Sequence, residues 1–214
     1  DGALAEARHV GSVTYKQNEE RSEIMPLETT LYTRVGDDGY TGVLGRERVA
    51  KYDLQPVAYG TVDELSAMLG LARTACQHTC SNGILLEVQR DLYAAMADLA
   101  TTPEAAEKSG VRLYDPRIDW LEGIVDEVGR MVEIPPAFIV AGDSYAGALL
   151  DVARTVSRRA ERHVAKLHHQ AMLSNPVVLR YLNRLSSLLF VLSRLEDKAA
   201  GVEQFTLAKW EKRI

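Results

Sequence analysis

The chain predicts an all-α fold, an up-and-down, ferritin-like bundle of about five helices. Three observations predict it. From residue 56 onward, apolar residues recur every three or four positions. Strand-like alternation is scarce. The periodic stretches are set apart by helix start and stop residues, chiefly proline, serine and asparagine. With 214 residues the chain is long enough for one domain with a sizeable core, and no internal repeat or interdomain linker divides it. The expected organisation is a flexible N-terminal tail over 1–28, the helical domain over 29–200 opening with a loop at 30–55, and a C-terminal tail over 201–214.

The first helix follows Pro56, a residue suited to the first helical turn, and carries Val62, Leu65, Met68, Leu69 and Ala72 at helical spacing. A second spans about 83–100, with Ile84, Leu85, Val88, Leu92, Met96 and Leu99, and ends at Thr101-Thr102-Pro103. The polar stretch 103–115 reads as a loop. A third helix starts near Pro116, runs through Trp120, Ile124, Val125 and Val128, and is broken by Pro135-Pro136. Ser144 caps a fourth, over about 144–170. In the fifth, Asn175 is the N-cap and Pro176 the first residue. Its face of Val178, Leu182, Leu185, Leu189 and Leu192 is widened by Leu188, Val191 and Leu195, which places this helix at the centre of the bundle or at a subunit contact.

Composition narrows the function. Hydrophobic residues make up 46% of the chain, ordinary for a globular protein, and the formal charge is −5. An acidic chain lacks the basic surface that nucleic acid requires, so a local basic cluster within it points to a small anionic ligand. No apolar run reaches membrane-spanning length. Residues 1–28 carry five glutamates, unlike an acid-poor transit peptide. Two cysteines, Cys76 and Cys80, make no disulfide framework and predict a reducing, cytoplasmic setting.

Two stretches carry chemistry. In Arg154-Thr-Val-Ser-Arg158-Arg159-Ala-Glu161-Arg162, at about 100° per residue, Arg154, Arg158, Glu161 and Arg162 fall within an arc of about 100°, opposite Leu149, Val156, Ala160, Val164 and Leu167. An amphipathic helix with a solvated face fits the same pattern. Against it, the face is nearly all arginine, whose planar donors suit phosphate and carboxylate, and clustered guanidiniums repel unless an anion lies between them. The second stretch is Thr33-Arg34-Val-Gly36-Asp37-Asp38-Gly39-Tyr40-Thr41-Gly42. Its glycines, with Gly45, let backbone N–H groups approach phosphate. Thr33 and Thr41 add hydroxyls, Arg34 and Lys51 add charge, and Asp37 and Asp38 could hold a hydrated magnesium ion. It is no P-loop, and taken alone a polar turn has the same composition.

Together the stretches are specific. With Tyr59-Gly60-Thr61-Val62-Asp63-Glu64-Leu65 and Tyr181-Leu182-Asn183-Arg184-Leu185-Ser186, they make the sequence resemble the PduO-type cob(I)alamin adenosyltransferases over roughly residues 30–200. The resemblance implies a homotrimer of five-helix bundles with active sites at subunit interfaces. It also implies transfer of the 5′-deoxyadenosyl group of ATP to the cobalt of reduced cobalamin, with release of tripolyphosphate. Mg2+ would accompany ATP, cobalamin would be the substrate, and a flavoprotein reductase and an adenosylcobalamin-dependent enzyme would be partners. Carried over by position, Thr33, Arg34, Gly36, Asp37, Thr41, Gly42 and Lys51 belong to the ATP loop, completed from helices by Arg158, Arg159, Glu161, Arg162 and Asn183. Asp63 and Arg154 would pair across the interface and shape the corrin site, and Phe138 would lie beneath the corrin ring. Arg158 and Arg162 would stabilise the leaving triphosphate. A non-catalytic carrier or sensor of adenosylcobalamin or ATP is the alternative.

The chain departs from the family at Ala141-Gly142-Asp143-Ser144, where Pro-Gly-Gly-Ser is common, and at Ser187, where Asp is usual; the tail 201–214 matches no family feature. Because cob(I)alamin is itself a strong nucleophile, the absence of a Ser-His-Asp or Cys-His arrangement does not count against an enzyme. Read without the resemblance, Phe138 is a core phenylalanine, Asp63 a surface acid near a helix N-terminus, and Asn183 a residue facing water. On a helix His78 would point about 200° from Cys76 and Cys80, which argues against a metal site. No paired Glu-x-x-His motif suggests di-iron chemistry.

Overall fold

The computed structural model describes residues 32–209. The chain separates into two compact units, residues 1–34 and 35–214. The predicted tail 1–28, together with residues 29–31 and 210–214, lies outside the described residues. Of the first unit only Tyr32, Thr33 and Arg34 are described. Arg34 adopts a left-handed backbone at φ 60°, and its guanidinium lies over the Tyr32 ring, 5.3 Å from the centroid.

The second unit opens with an antiparallel hairpin, β1 (Tyr40–Val43) and β2 (Arg46–Ala50), paired Tyr40↔Ala50, Thr41↔Val49 and Val43↔Arg46 with a bulge after Thr41. The glycine-rich stretch predicted a flexible loop; in the structure residues 35–38 form a turn and the chain then enters a two-stranded ribbon at Tyr40. Val43, Val49 and Ala50 are buried, and Gly39 and Gly45 take φ of 84° and 101°, which favour glycine. Gly45 is required twice. A Cβ there would lie 2.3 Å from Thr102 Oγ1 and 2.5 Å from Ala105 Cβ. The ribbon tip docks on the end of the second helix, where Leu44 N–H donates to the Ala100 carbonyl at 2.8 Å and Thr102 N–H to the Leu44 carbonyl at 2.9 Å.

The helices follow in order: α1 (Leu54–Ala75), α2 (Thr79–Leu99), a 3₁₀ helix (Pro103–Lys108), α3 (Pro116–Gly129), α4 (Tyr145–His169) and α5 (Val177–Ala199). α1 packs on α2 and α4, α4 on α5, and α5 meets α2, which closes a ring of four helices; α3 lies against α5. The core is aliphatic, with Leu65, Leu69, Leu85, Leu92, Leu150, Leu182, Leu185 and Leu189 fully buried. α5 is the central element that its wide apolar face predicts.

The boundaries differ from the periodicity where contacts outside the helix fix its ends. α2 starts at Thr79, earlier than expected. The Glu196 carboxylate, 119 residues away in sequence from Gln77, accepts the Gln77 N–H at 2.7 Å and the His78 N–H at 3.3 Å, which holds His78 in place to cap the helix by accepting the Cys80 N–H at 3.4 Å. α3 ends at Gly129, short of Pro135-Pro136: glycine is a poor helix former, and Val132 turns back into the core. Ser144 caps α4 as expected, accepting the Gly147 N–H at 2.9 Å. Asn175 Oδ1 accepts the Val177 N–H at 3.1 Å at the start of α5. Part of the stretch read as a loop, 103–108, is 3₁₀ helix.

Residues 201–209 run back along the segment before α4. Ile139 and Leu207 form an antiparallel bridge. Val140 N–H donates to the Thr206 carbonyl at 2.7 Å, and Ala208 N–H to the Phe138 carbonyl at 2.8 Å. Among the described residues, no helix is long and apolar enough to cross a membrane.

Candidate active site

The turn before β1 is held by two cations. Arg48 clamps it, donating to both Asp38 carboxylate oxygens at 2.8 and 2.6 Å, to the Val35 carbonyl at 2.5 Å and to the Tyr40 carbonyl at 3.1 Å. The guanidinium beside it holds the exposed Asp38 carboxyl below the usual carboxylate range. Asp38 is therefore committed to Arg48 and does not suit a magnesium ion; Asp37 is exposed beside it. Lys51 Nζ donates to the Gly36 carbonyl at 2.7 Å. A Cβ on Gly36 would stand 2.8 Å from that ammonium, so a side chain there would make the flexible lysine end shift. Thr41 is half-buried and Gly42 exposed.

The arginines of α4 divide into two sets. Arg159 pairs with Glu64 of α1, and Arg154 Nε with Asp151 at 3.1 Å. Arg158 and Arg162 are exposed. Arg162 Nη1 donates to the Arg158 carbonyl at 3.0 Å, and neither has an ion-pair partner among the described residues. Beside them, partial burial followed by the charges of Arg162, Arg159 and Lys166 pushes the His163 imidazole below its ordinary range. The stripe is thus a positive patch with two uncommitted guanidiniums, an arrangement that takes an anion.

Asn183 does not simply face water. Its amide donates to Glu161 at 2.8 Å and its carbonyl accepts from Arg184 at 2.6 Å. Arg184 in turn reaches Glu122 at 2.7 Å. Asn183 therefore ties α5 to the carboxylate of the arginine stripe. Asp63 is exposed and forms no ion pair among the described residues. Phe138 is 79% exposed, so the core reading fails. An aromatic ring in water, with Val140 also exposed two residues on, suits a flat apolar partner.

Among the described residues, no hydrogen bond or ion pair joins segment 36–51 to Arg154, Arg158, Arg159 or Arg162. Cys76, His78 and Cys80 lie at the α1–α2 turn rather than within one helix, and His78 Nδ1 touches Cys80 Sγ at 3.0 Å. Burial and the neighbouring Glu196 push the Cys76 thiol up to about 12. Both cysteines are free. Sequence reading missed Arg48, Asp151, Arg194 and Asp197. The last three left a signal in charged residues set among the apolar positions of α4 and α5.

The profile of the family described as cobalamin adenosyltransferase matches residues 31–196. The chain belongs to the cobalamin adenosyltransferase family. Among its relatives, the corrinoid adenosyltransferase of Mycobacterium tuberculosis is 42% identical over 180 residues, covering 81% of this chain and 92% of that protein. That of Bacillus subtilis is 35% identical over 176 residues, covering 80% and 89%. A variant of a PduO-type ATP:corrinoid adenosyltransferase from Lactobacillus reuteri, complexed with cobalamin and ATP, superposes with a TM-score of 0.78 at 30% identity, covering 85% of this chain and all of that one. The resemblance carried by the four sequence blocks and the helical fold therefore agree on one family. Where this adenosyltransferase departs from the common pattern, Gly142 takes φ 119° and Asp143 accepts the Thr206 N–H at 2.9 Å. The departure is thus built into the contact with segment 201–209.

Proposed function

We propose that this chain transfers the 5′-deoxyadenosyl group of ATP to the cobalt of cob(I)alamin, giving adenosylcobalamin and tripolyphosphate. Family membership over most of the chain carries this reading, and two uncommitted guanidiniums on one face of α4 support it. The Co(I) electron pair forms the Co–C bond at C5′ while the C5′–O5′ bond breaks, and its electrons pass to the triphosphate. The protein's work is to hold C5′ in line with cobalt and to stabilise the growing negative charge. Arg158 and Arg162 suit the second task because no carboxylate among the described residues pairs with them. Lys51 would exchange the Gly36 carbonyl for phosphate, alongside Thr33, Arg34, Asp37, Thr41 and Gly42. Glu161, held by Asn183, and Arg159, held by Glu64, would frame the nucleotide. Mg2+ arriving with ATP would neutralise phosphate charge, with Asp37 the available carboxylate of the Asp37-Asp38 pair.

Phe138 would exclude the lower axial ligand of Co(II), which eases reduction to Co(I). Asp63 and the terminal nitrogens of Arg154, both without ion-pair partners among the described residues, would meet across the interface of a homotrimer. A flavoprotein would supply the electron, an adenosylcobalamin-dependent enzyme would take the product, and the setting would be the cytoplasm, where Cys76 and Cys80 stay reduced. Mixing the protein with magnesium-ATP and chemically reduced cobalamin under anaerobic conditions tests the reading. The Co(I) spectrum should give way to that of adenosylcobalamin with one tripolyphosphate per turnover. A persistent Co(I) spectrum would refute transfer, and tight binding without tripolyphosphate release would mark a carrier instead.

A further inference from the structure

A chain of buried charges runs inside the bundle from the arginine stripe to the start of α4. Asp151 is only 7% exposed and uses both carboxylate oxygens. Oδ1 accepts from Arg154 Nε at 3.1 Å, and Oδ2 from Arg194 Nη2 at 2.6 Å. Arg194, on α5 and 1% exposed, also reaches Asp197 Oδ2 at 3.1 Å. The fully buried Asp197 accepts the Ser144 hydroxyl at 2.6 Å, the same oxygen that caps α4. Gly147 makes room for this contact, since a Cβ there would stand 2.1 Å from Asp197 Oδ1. The Arg194 guanidinium also lies near two aromatic rings, 5.7 Å from the Phe190 centroid and 5.4 Å from that of Phe205.

Stability alone does not account for such a chain. Desolvating several charges costs about as much as their attraction returns, and apolar replacements of similar volume are often neutral or stabilising. What buried ion pairs supply is fixed direction. Here one carboxylate dictates where Arg154 points: Nε is held inward, and the terminal nitrogens have no partner among the described residues. At the far end, Asp197 fixes Ser144, directly behind the 138–143 segment that carries Phe138.

We propose that Asp151 and Arg194 are positioning residues for adenosyl transfer, a buried ion-pair relay that orients Arg154. The proposal rests on the function proposed above. Asp151 acts on the site through Arg154, so its removal should matter only while Arg154 is present.

The test is a double-mutant cycle on the full chain, assayed with magnesium-ATP and chemically reduced cobalamin. Asp151→Asn should lower kcat/KM for the corrinoid about tenfold or more in the otherwise unchanged protein, and by less than about twofold in an Arg154→Ala background. Effects that multiply in the double variant would overturn the proposal. So would an Arg154→Ala protein of unchanged kcat/KM, because there would then be nothing for Asp151 to orient. Folding is controlled with the triple variant Asp151→Asn/Arg194→Met/Asp197→Asn, which removes the three buried charges together and leaves only the part-exposed Arg154 without its carboxylate. It should keep its far-UV helicity and melt cooperatively while losing about tenfold or more in rate; a folded triple variant with full activity would also overturn the proposal. Failure of the unmodified protein to convert cob(I)alamin would refute the function itself and is read from a separate arm of the same assay.

Discussion

At the scale of single residues, α4 separates arginines that are structurally employed from arginines that are not. Arg159 and Arg154 have carboxylates within the chain, while Arg158 and Arg162 have none among the described residues. Arg158→Ala should leave far-UV helicity unchanged and cost about a hundredfold or more in kcat, on the order of 2–4 kcal/mol of transition-state stabilisation, as measured by adenosylcobalamin formation. His163 is a built-in reporter of the same patch. Its imidazole is pushed below the ordinary range, by partial burial first and then by Arg162, Arg159 and Lys166. In the free protein the unfolded chain takes up this proton first, so acidification below the ordinary imidazole range lowers stability. Bound tripolyphosphate would favour the imidazolium, and NMR titration should show the His163 pKa rising when it is added. An unchanged pKa would place the anion elsewhere. The stripe was legible in the sequence because arginines repeated at helical spacing. The division of labour was not, because Asp151 and Glu64 look like ordinary acids until their partners are known.

At the scale of elements, the hairpin and the segment before α4 matter most. Four glycines within ten residues hid the hairpin from a periodicity reading. Two of them, Gly39 and Gly45, enable its turns through positive φ, and the inward residues are too few to show alternation. Gly45→Ala should cost about 1–3 kcal/mol, read as a lower thermal midpoint, because the new methyl meets Thr102 and Ala105 at a backbone angle that alanine resists. On the other segment, Phe138→Ala should impair the route that begins with Co(II) reduction more than the reaction of preformed Co(I), compared by assaying both starting states. Equal loss in both would remove the role of the ring as a wedge. The exposure of Phe138 could not be read from Pro-Pro-Ala-Phe-Ile-Val, where a core phenylalanine fits equally well. It follows from the pairing of residues 138–140 with 206–208.

At the scale of the molecule, no hydrogen bond or ion pair among the described residues joins segment 36–51 to the arginine stripe, which leads to an assembly prediction. If neighbouring protomers of a trimer each contribute half a site, Lys51→Ala carries an intact helix half and Arg158→Ala an intact loop half. Dissociated, mixed in equal amounts and reassembled, the two inactive proteins should recover about a quarter of the wild-type sites, as random cyclic assembly requires. Activity no higher than the sum of the separate variants would place the whole site within one protomer.

By itself the sequence determined the helical class, the five long helices, the capping role of Ser144, the arginine face and, through four blocks in order, the family. These are local or additive properties: periodicity, propensity and spacing survive without knowledge of what packs against what. Only the tertiary structure decided that α2 starts at Thr79, that Asp38 belongs to Arg48, that Phe138 stands in water, and that Asp151, Arg194 and Asp197 form one buried relay. Each of these depends on a partner distant in sequence or on a turn whose geometry composition does not fix. A carboxylate 119 residues away can hold the turn that starts a helix only once the bundle has closed around it.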